Sequence, residues 1–227
     1  MGKGSRIFIV LLACIVFVFF LISLYLVFLH APTEKVMGPV QKIFYYHVPS
    51  AISTFLAFFV VFIASIIYLA TKSSLWDNIA RSSAEIGVFF CTIVLITGPI
   101  WAKQAWGTWW TWEARLTTTL ILWLIYVSYL MIRGYSENRE QAARFSSILG
   151  IVGFLDVPII YFSVKWWRGQ HPIVFGPGKQ EPLAPEMLHA FLFSLFTFLL
   201  FYLLLMIVRT RISSLEDRAS TLKEKIL

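Results

Sequence analysis

Charge is scarce in this sequence. Charged residues fill 14% of the 227 positions, against roughly 25% in a soluble globular domain. That deficit excludes an ordinary soluble enzyme and a disordered chain alike. Cysteine is scarcer still, with only Cys14 and Cys91, each alone inside an apolar run. They provide no disulfide framework, no CxxC and no metal box, and read as small buried hydrophobes. There is no CxxCH, so nothing on the chain would attach a c-type haem covalently. No P-loop, HExxH, GxSxG or GxGxxG occurs, so nothing points to hydrolysis of a nucleotide or a peptide. The chain reads as a non-enzyme, and no internal repeat is evident.

What the chain has instead is hydrophobic length. Apolar residues make up 59% of it, gathered into six stretches near 7–29, 43–70, 84–101, 116–132, 146–164 and 187–208. A membrane helix needs about 20 apolar residues, and all six meet or approach that. The first follows Lys3 and Arg6 but is too long for a signal-peptide core and lacks a cleavage site, so it reads as a retained span. The expectation is an all-α polytopic membrane protein. It forms one membrane domain over 1–227, with six transmembrane helices, a tryptophan-rich outer loop at 102–115 and a short helical cytoplasmic tail at 209–227.

Twelve of the 19 Lys and Arg residues fall in the N-terminus, 71–83, 133–145 and 209–227. The positive-inside rule then places both termini in the cytoplasm. The net charge of +7 is mostly this bias and calls for a lipid bilayer, with no nucleic acid.

Once the topology is drawn, the unusual residues collect on the outer side. All four histidines lie there (His30, His47, His171 and His189), as do seven of the nine tryptophans. Aromatic belts occupy both interfaces, so a belt alone does not explain the asymmetry. The densest piece runs Trp106-Gly107-Thr108-Trp109-Trp110-Thr111-Trp112-Glu113-Ala114-Arg115. Its indoles make a rigid, polarizable platform with N–H donors to spare, suited to a large flat ligand. An interfacial amphipathic helix is the competing reading. Glu113 and Arg115 read either as a helix cap and an interfacial anchor or as contacts to a polar ligand edge.

His47 precedes Pro49, a residue suited to the first turn of a helix, which predicts that His47 lies at or just before a helix start. There the dipole disfavours the imidazolium, and a metal needs the neutral ring. His47 and His171, on separate outer segments facing the tryptophans, fit axial ligation of a haem iron; each also reads singly as a satisfied interfacial histidine. Asp156 is the exception within the spans. A mid-membrane carboxyl is costly and normally faces the bundle interior. Pro158 frees the carbonyl of Phe154 nearby, so Asp156 reads as kink stabilisation or as a proton or ligand group.

The stretch from Trp106 to Arg115 resembles the signature of the haem-handling protein family, whose pattern is close to WGxWWxWDxR. Tyr46-His47-Val48-Pro49-Ser50-Ala51 and Pro158 through Trp167, leading to His171, match the same branch. With six spans at this length, the chain is similar to the short heme exporter protein C (CcmC) branch from about Lys42 to His171. Longer relatives carry further spans or domains.

The resemblance implies a protein of the bacterial inner membrane that presents haem b, as transferred cargo, on the outer face during cytochrome c maturation. It implies delivery to the chaperone CcmE, with the ABC transporter subunits CcmA and CcmB and the small protein CcmD as partners. It further implies His47 and His171 as axial ligands of the iron. Trp106, Trp109, Trp110, Trp112 and Glu113 become the cradle, and Lys42 and Arg115 the candidates for the propionates. Two departures stand out: Glu113 replaces the usual Asp, and Asp156 replaces an uncharged polar residue. The alternative function is a membrane b-type cytochrome acting in electron transfer, whose histidines would sit on facing helices inside the bundle. A solute transporter built on Asp156 leaves the tryptophans unexplained.

Overall fold

The computed structural model describes residues 3–136, 138–167 and 183–226. Helix α1 spans Lys3–Tyr25 and ends in a π-helical turn, Leu26–His30; a 3-10 turn, Pro39–Ile43, leads into α2, Phe44–Thr71. There follow α3 (Ser74–Trp106), α4 (Ala114–Tyr135), α5 (Arg139–Phe154), α6 (Asp156–Trp167) and α7 (Pro185–Ile226). Among the described residues there is no β-strand, only an isolated bridge between Glu34 and Gly38. Six helical spans are long and apolar enough to cross a membrane: Gly4–His30, Pro39–Thr71, Ser74–Trp106, Ala114–Tyr135, Arg139–Ser163 and Pro185–Ala219. The all-α, six-helix expectation therefore holds.

The helices outrun the apolar windows. α3 begins at Ser74 because residues 74–83 form helix too, burying Asn78, Ala80, Ser82 and Ser83 on one face. α7 continues without a break beyond residue 208, and ion pairs hold that extension to α3. Arg209 donates to Glu85, at 2.9 Å through its second contact, and Asn78 Nδ2 donates to Asp217 at 2.8 Å. Ser213 Oγ closes the network by donating to Asn78 Oδ1 at 2.8 Å. The fifth span does break: α5 stops at Phe154 and α6 starts at Asp156. Pro158 has no N–H to give the Phe154 carbonyl, and the Leu155 N–H turns back to the Val152 carbonyl at 3.1 Å.

α2 and α3 form the central antiparallel pair, with α5 and α7 against α2 and α4 against α3; α1 leans on α7, and α6 on α4. The main core gathers Phe58, Val61, Ala64, Ala84, Cys91, Leu122, Tyr126, Tyr129 and Ile160. Apolar surface gains little by leaving lipid, so small residues that admit close helix contact do much of the packing. Gly87 is such a residue, since a Cβ there would stand 2.5 Å from the Phe58 ring. Phe58 in turn stacks on Tyr126 with ring centroids 3.6 Å apart. α1 keeps Phe8, Leu11, Phe17 and Leu21 exposed, an apolar face that a bilayer covers. Its anchors to α7 are the Ser23–Ser194 hydroxyl pair at 2.8 Å and the Phe19–Phe193 contact.

Gly87→Leu is expected to lower the unfolding temperature in detergent, because overpacking of this kind costs about 1–3 kcal/mol. Gly134→Ala, where nothing lies within 4 Å of a new Cβ, is expected to leave the temperature unchanged or slightly raised. Equal melting of the two variants would contradict this packing.

Candidate ligand site at the tryptophan end

At one end of the bundle α3 stops at Trp106. Gly107 closes the helix in the left-handed region at φ 77°, a conformation glycine adopts without a Cβ penalty. Its N–H donates to the Lys103 carbonyl at 3.1 Å, and Lys103 Nζ returns a bond to the Gly107 carbonyl at 2.9 Å. Residues 107–113 then run to α4 without forming a helix, so this stretch is a loop and not an amphipathic helix. Trp112 holds φ 53°, a costly conformation for a bulky side chain. The Thr117 hydroxyl secures it by donating to the Trp112 carbonyl at 3.2 Å. Trp109 and Trp112 are 58% and 71% exposed, whereas Trp110 turns inward with its indole nitrogen buried.

A cavity of about 190 Å³ opens beneath the loop. Phe44, His47, Val48 and Ile52 of α2 form one wall, and Leu95, Gly98, Pro99 and Trp101 of α3 another. Trp110 roofs it; Arg115, Leu116 and Thr119 of α4 and Ile160 and Tyr161 of α6 complete the lining. Cys91 and Leu122 lie at the bottom, where the cavity meets the core.

Besides the hydroxyl-bearing Thr54, Thr119 and Tyr161, three kinds of polar group interrupt these apolar walls. His47 lies one turn inside α2, because the 3-10 turn Pro39–Ile43 runs directly into that helix and starts it upstream of Pro49. This differs from the expected position at a helix start. The His47 Nδ1 is 2.8 Å from Thr97 Oγ1, and the imidazole lies 6.5 Å from the Trp101 ring. Next come Trp101 and Trp110, whose indole N–H groups are buried and have no hydrogen-bond acceptor among the described residues. The third is the Arg115 guanidinium, which no carboxylate among the described residues pairs. The cavity thus combines an imidazole and a positive charge with aromatic walls, and has no acidic side chain in its lining.

Other expected residues lie elsewhere. Trp106 packs at 5.9 Å against Trp101, behind the cavity wall. Glu113 occupies the N-cap of α4 without a side-chain capping bond. Lys42 points away, with Nζ donating to the Phe28 carbonyl at 2.9 Å and standing over the Phe28 ring. His30 and His189 are exposed and do not line the cavity. His171 lies outside the described residues. The sequence reading passed over Trp101, Thr97 and Tyr161 as site residues. Thr97 and Trp101 stand one turn apart on α3, a spacing that becomes informative only once that helix is known to face His47.

A larger hollow of about 1090 Å³ at the opposite end is lined by Lys72, Asp77, Arg133, Arg139 and Asp217 among others. Its charges answer one another, Arg133 with Asp77 and Arg139 with Asp217 at 2.8 Å, so it reads as a solvated structural end.

A family model described as heme exporter protein C matches residues 3–225. The chain belongs to the heme exporter protein C family. It is 34% identical over 199 residues to the heme exporter protein C of Escherichia coli K12, covering 87% of this chain and 80% of that one. It is 38% identical over 141 residues to the namesake from Bradyrhizobium diazoefficiens, covering 62% and 54%. A putative cytochrome c biosynthesis ccmC-like mitochondrial protein of Marchantia polymorpha is 38% identical over 149 residues, covering 66% and 63%. Membership of the CcmC family implies haem handling in cytochrome c biogenesis, and with six membrane-capable helices it makes the chain a multi-pass membrane protein.

Burying a charge without a partner is costly, and no carboxylate among the described residues pairs Arg115. Arg115→Gln is therefore expected to leave the ligand-free protein at least as stable as the native chain when melted in detergent. A clear fall in melting temperature would assign the guanidinium a structural contact instead.

Proposed function

We propose that this chain holds haem b as cargo at the outer face of the bacterial cytoplasmic membrane and hands it to the haem chaperone CcmE. In this reading it works without catalysis of its own, beside CcmA, CcmB and CcmD, with both termini cytoplasmic. The observation that carries the proposal is the convergence, in one apolar cavity, of an imidazole, two tryptophans and an arginine that no carboxylate among the described residues pairs. An imidazole is the group iron prefers, and apolar aromatic walls suit the porphyrin. The arginine suits a propionate. Arg115 takes the propionate role here, since Lys42 is engaged with Phe28.

Ligand pockets for drug-sized molecules usually measure about 300–1,000 Å³. At about 190 Å³ this cavity takes one edge of a porphyrin, and the rest lies across the exposed Trp109 and Trp112. His47 supplies one axial ligand from α2, and His171, on the segment after α6, supplies the other. The tryptophans shield one face or edge of the macrocycle from water and leave the rest of its periphery within reach of a receiving protein.

Visible spectra of the purified protein titrated with haem test this reading. The native chain is expected to give a six-coordinate bis-histidine spectrum, and His47→Ala and His171→Ala are each expected to convert or abolish it. Unaltered spectra in both variants would put the ligands elsewhere. Haem dimethyl ester probes the propionate contact. A hydrogen bond to a charged group is worth about 1.5–3 kcal/mol, so the native protein should bind the ester about 10- to 100-fold more weakly than haem. Arg115→Gln should bind the two alike. Equal discrimination by native and variant would remove Arg115 from the site.

A further inference from the structure

The contact between His47 and Thr97 bears on which imidazole nitrogen carries the proton. Thr97 Oγ1 lies 2.7 Å from the Ile93 carbonyl, one turn back on α3, and 2.8 Å from His47 Nδ1. A hydroxyl carries one proton and two lone pairs. A carbonyl only accepts, so the Thr97 proton goes to Ile93 and the hydroxyl oxygen faces His47 as an acceptor. The 2.8 Å contact is then Nδ1–H donating to Thr97, and in a neutral imidazole that leaves the lone pair on Nε2.

The rest of the α3 wall agrees with that orientation. A Cβ at position 98 would stand 3.4 Å from His47 Cε1, so the absence of a side chain at Gly98 leaves the ring edge between the two nitrogens uncrowded. Trp101, one turn beyond Thr97, flanks the same ring. The helix presents an acceptor, a gap and an aromatic flank in succession.

We infer that Thr97 is the positioning residue of the iron ligand: its hydroxyl holds His47 as the Nδ1–H tautomer and directs the Nε2 lone pair at the iron. The inference rests on the haem reading above and extends it to a residue with no place in the tryptophan motif. A hydrogen bond at the remote nitrogen fixes the ring and raises the basicity of the ligating one. Losing it weakens iron binding and shifts the haem midpoint potential to more positive values, because a less electron-rich imidazole favours ferric iron less.

The test uses the full chain in detergent and begins without haem. Long-range proton–nitrogen NMR of 15N-histidine-labelled protein, with His47→Gln to assign the signal, is expected to show His47 as the Nδ1–H tautomer. An Nε2–H tautomer in the native chain would overturn the inference, and this measurement stands even if a variant fails to fold. Haem titration and redox potentiometry then compare Thr97→Val, which keeps the shape and loses the acceptor, with Thr97→Ser, which keeps the hydroxyl. Loss of such a partner typically costs 10- to 100-fold in metal affinity. Thr97→Val should therefore bind haem about 10- to 100-fold more weakly, with a more positive potential, and Thr97→Ser should return both toward native. His47→Ala separates the two ideas. If it binds haem as the native chain does, the haem reading of His47 fails. If it loses haem while Thr97→Val matches the native affinity and potential, only the assignment of Thr97 fails.

Discussion

Phe58 of α2 lies so close over Gly87 of α3 that no side chain fits between them, and the geometry of the ligand cavity follows from that approach. The two helices run antiparallel, so residues equally far from the crossing meet again. His47 lies 11 positions before Phe58, and Gly98 lies 11 positions after Gly87, which is about 16 Å along each helix at 1.5 Å per residue. A contact in the middle of the bundle thereby brings an imidazole on one helix to the hydroxyl of Thr97 on the other. The stack of Phe58 on Tyr126 carries the constraint to α4, the helix that begins beside Arg115.

The two ends of the bundle use charge in opposite ways. At the end where α2 meets α3 through Lys72 and Ser73, Arg133 binds Asp77, Arg209 binds Glu85, and Arg81 reaches Glu85 and Glu216. Those pairs join α3, α4 and α7, and the charges complete one another. At the tryptophan end, Arg115 stands in an apolar wall with no carboxylate paired to it among the described residues. On the proposed reading, the difference separates a structural end from an end arranged to receive the cargo.

Much of this was legible from hydropathy, because a span announces itself by length and composition without reference to its neighbours. Helix ends were harder to read. Residues 74–83 look like a loop because they are polar, yet they form helix because their small and polar side chains pack against the extension of α7. Pro49 suggested a helix start, but the 3-10 turn before it moves that start upstream and sets His47 a full turn inside. Pro158 pointed to a freed carbonyl at Phe154, and α5 gives way to α6 just beside it, since the missing N–H acts locally. Thr97 carries no such mark. Its role depends on an inter-helix register, which no single stretch of sequence contains. Lys42 errs in the other direction: its chemistry suits a propionate, but its ammonium is held by the Phe28 carbonyl of the neighbouring π-helical turn.

The loop from Gly107 to Glu113 joins these themes. A bulky residue in the left-handed region costs about 1–3 kcal/mol, and Trp112 holds that conformation with the Thr117 hydroxyl on its carbonyl. The result divides the tryptophans between two jobs. Trp110 points into the cavity, while Trp109 and Trp112 face outward. On the proposed reading, a carrier must hold haem firmly enough to keep it from water and loosely enough to release it. A closed pocket would satisfy only the first requirement. A shallow cavity that grips one edge of the porphyrin through His47 and Arg115, and leaves the remainder on exposed indoles, satisfies both. The receiving protein then meets an accessible face of the cargo and can displace the ligands one at a time, without the bundle having to open.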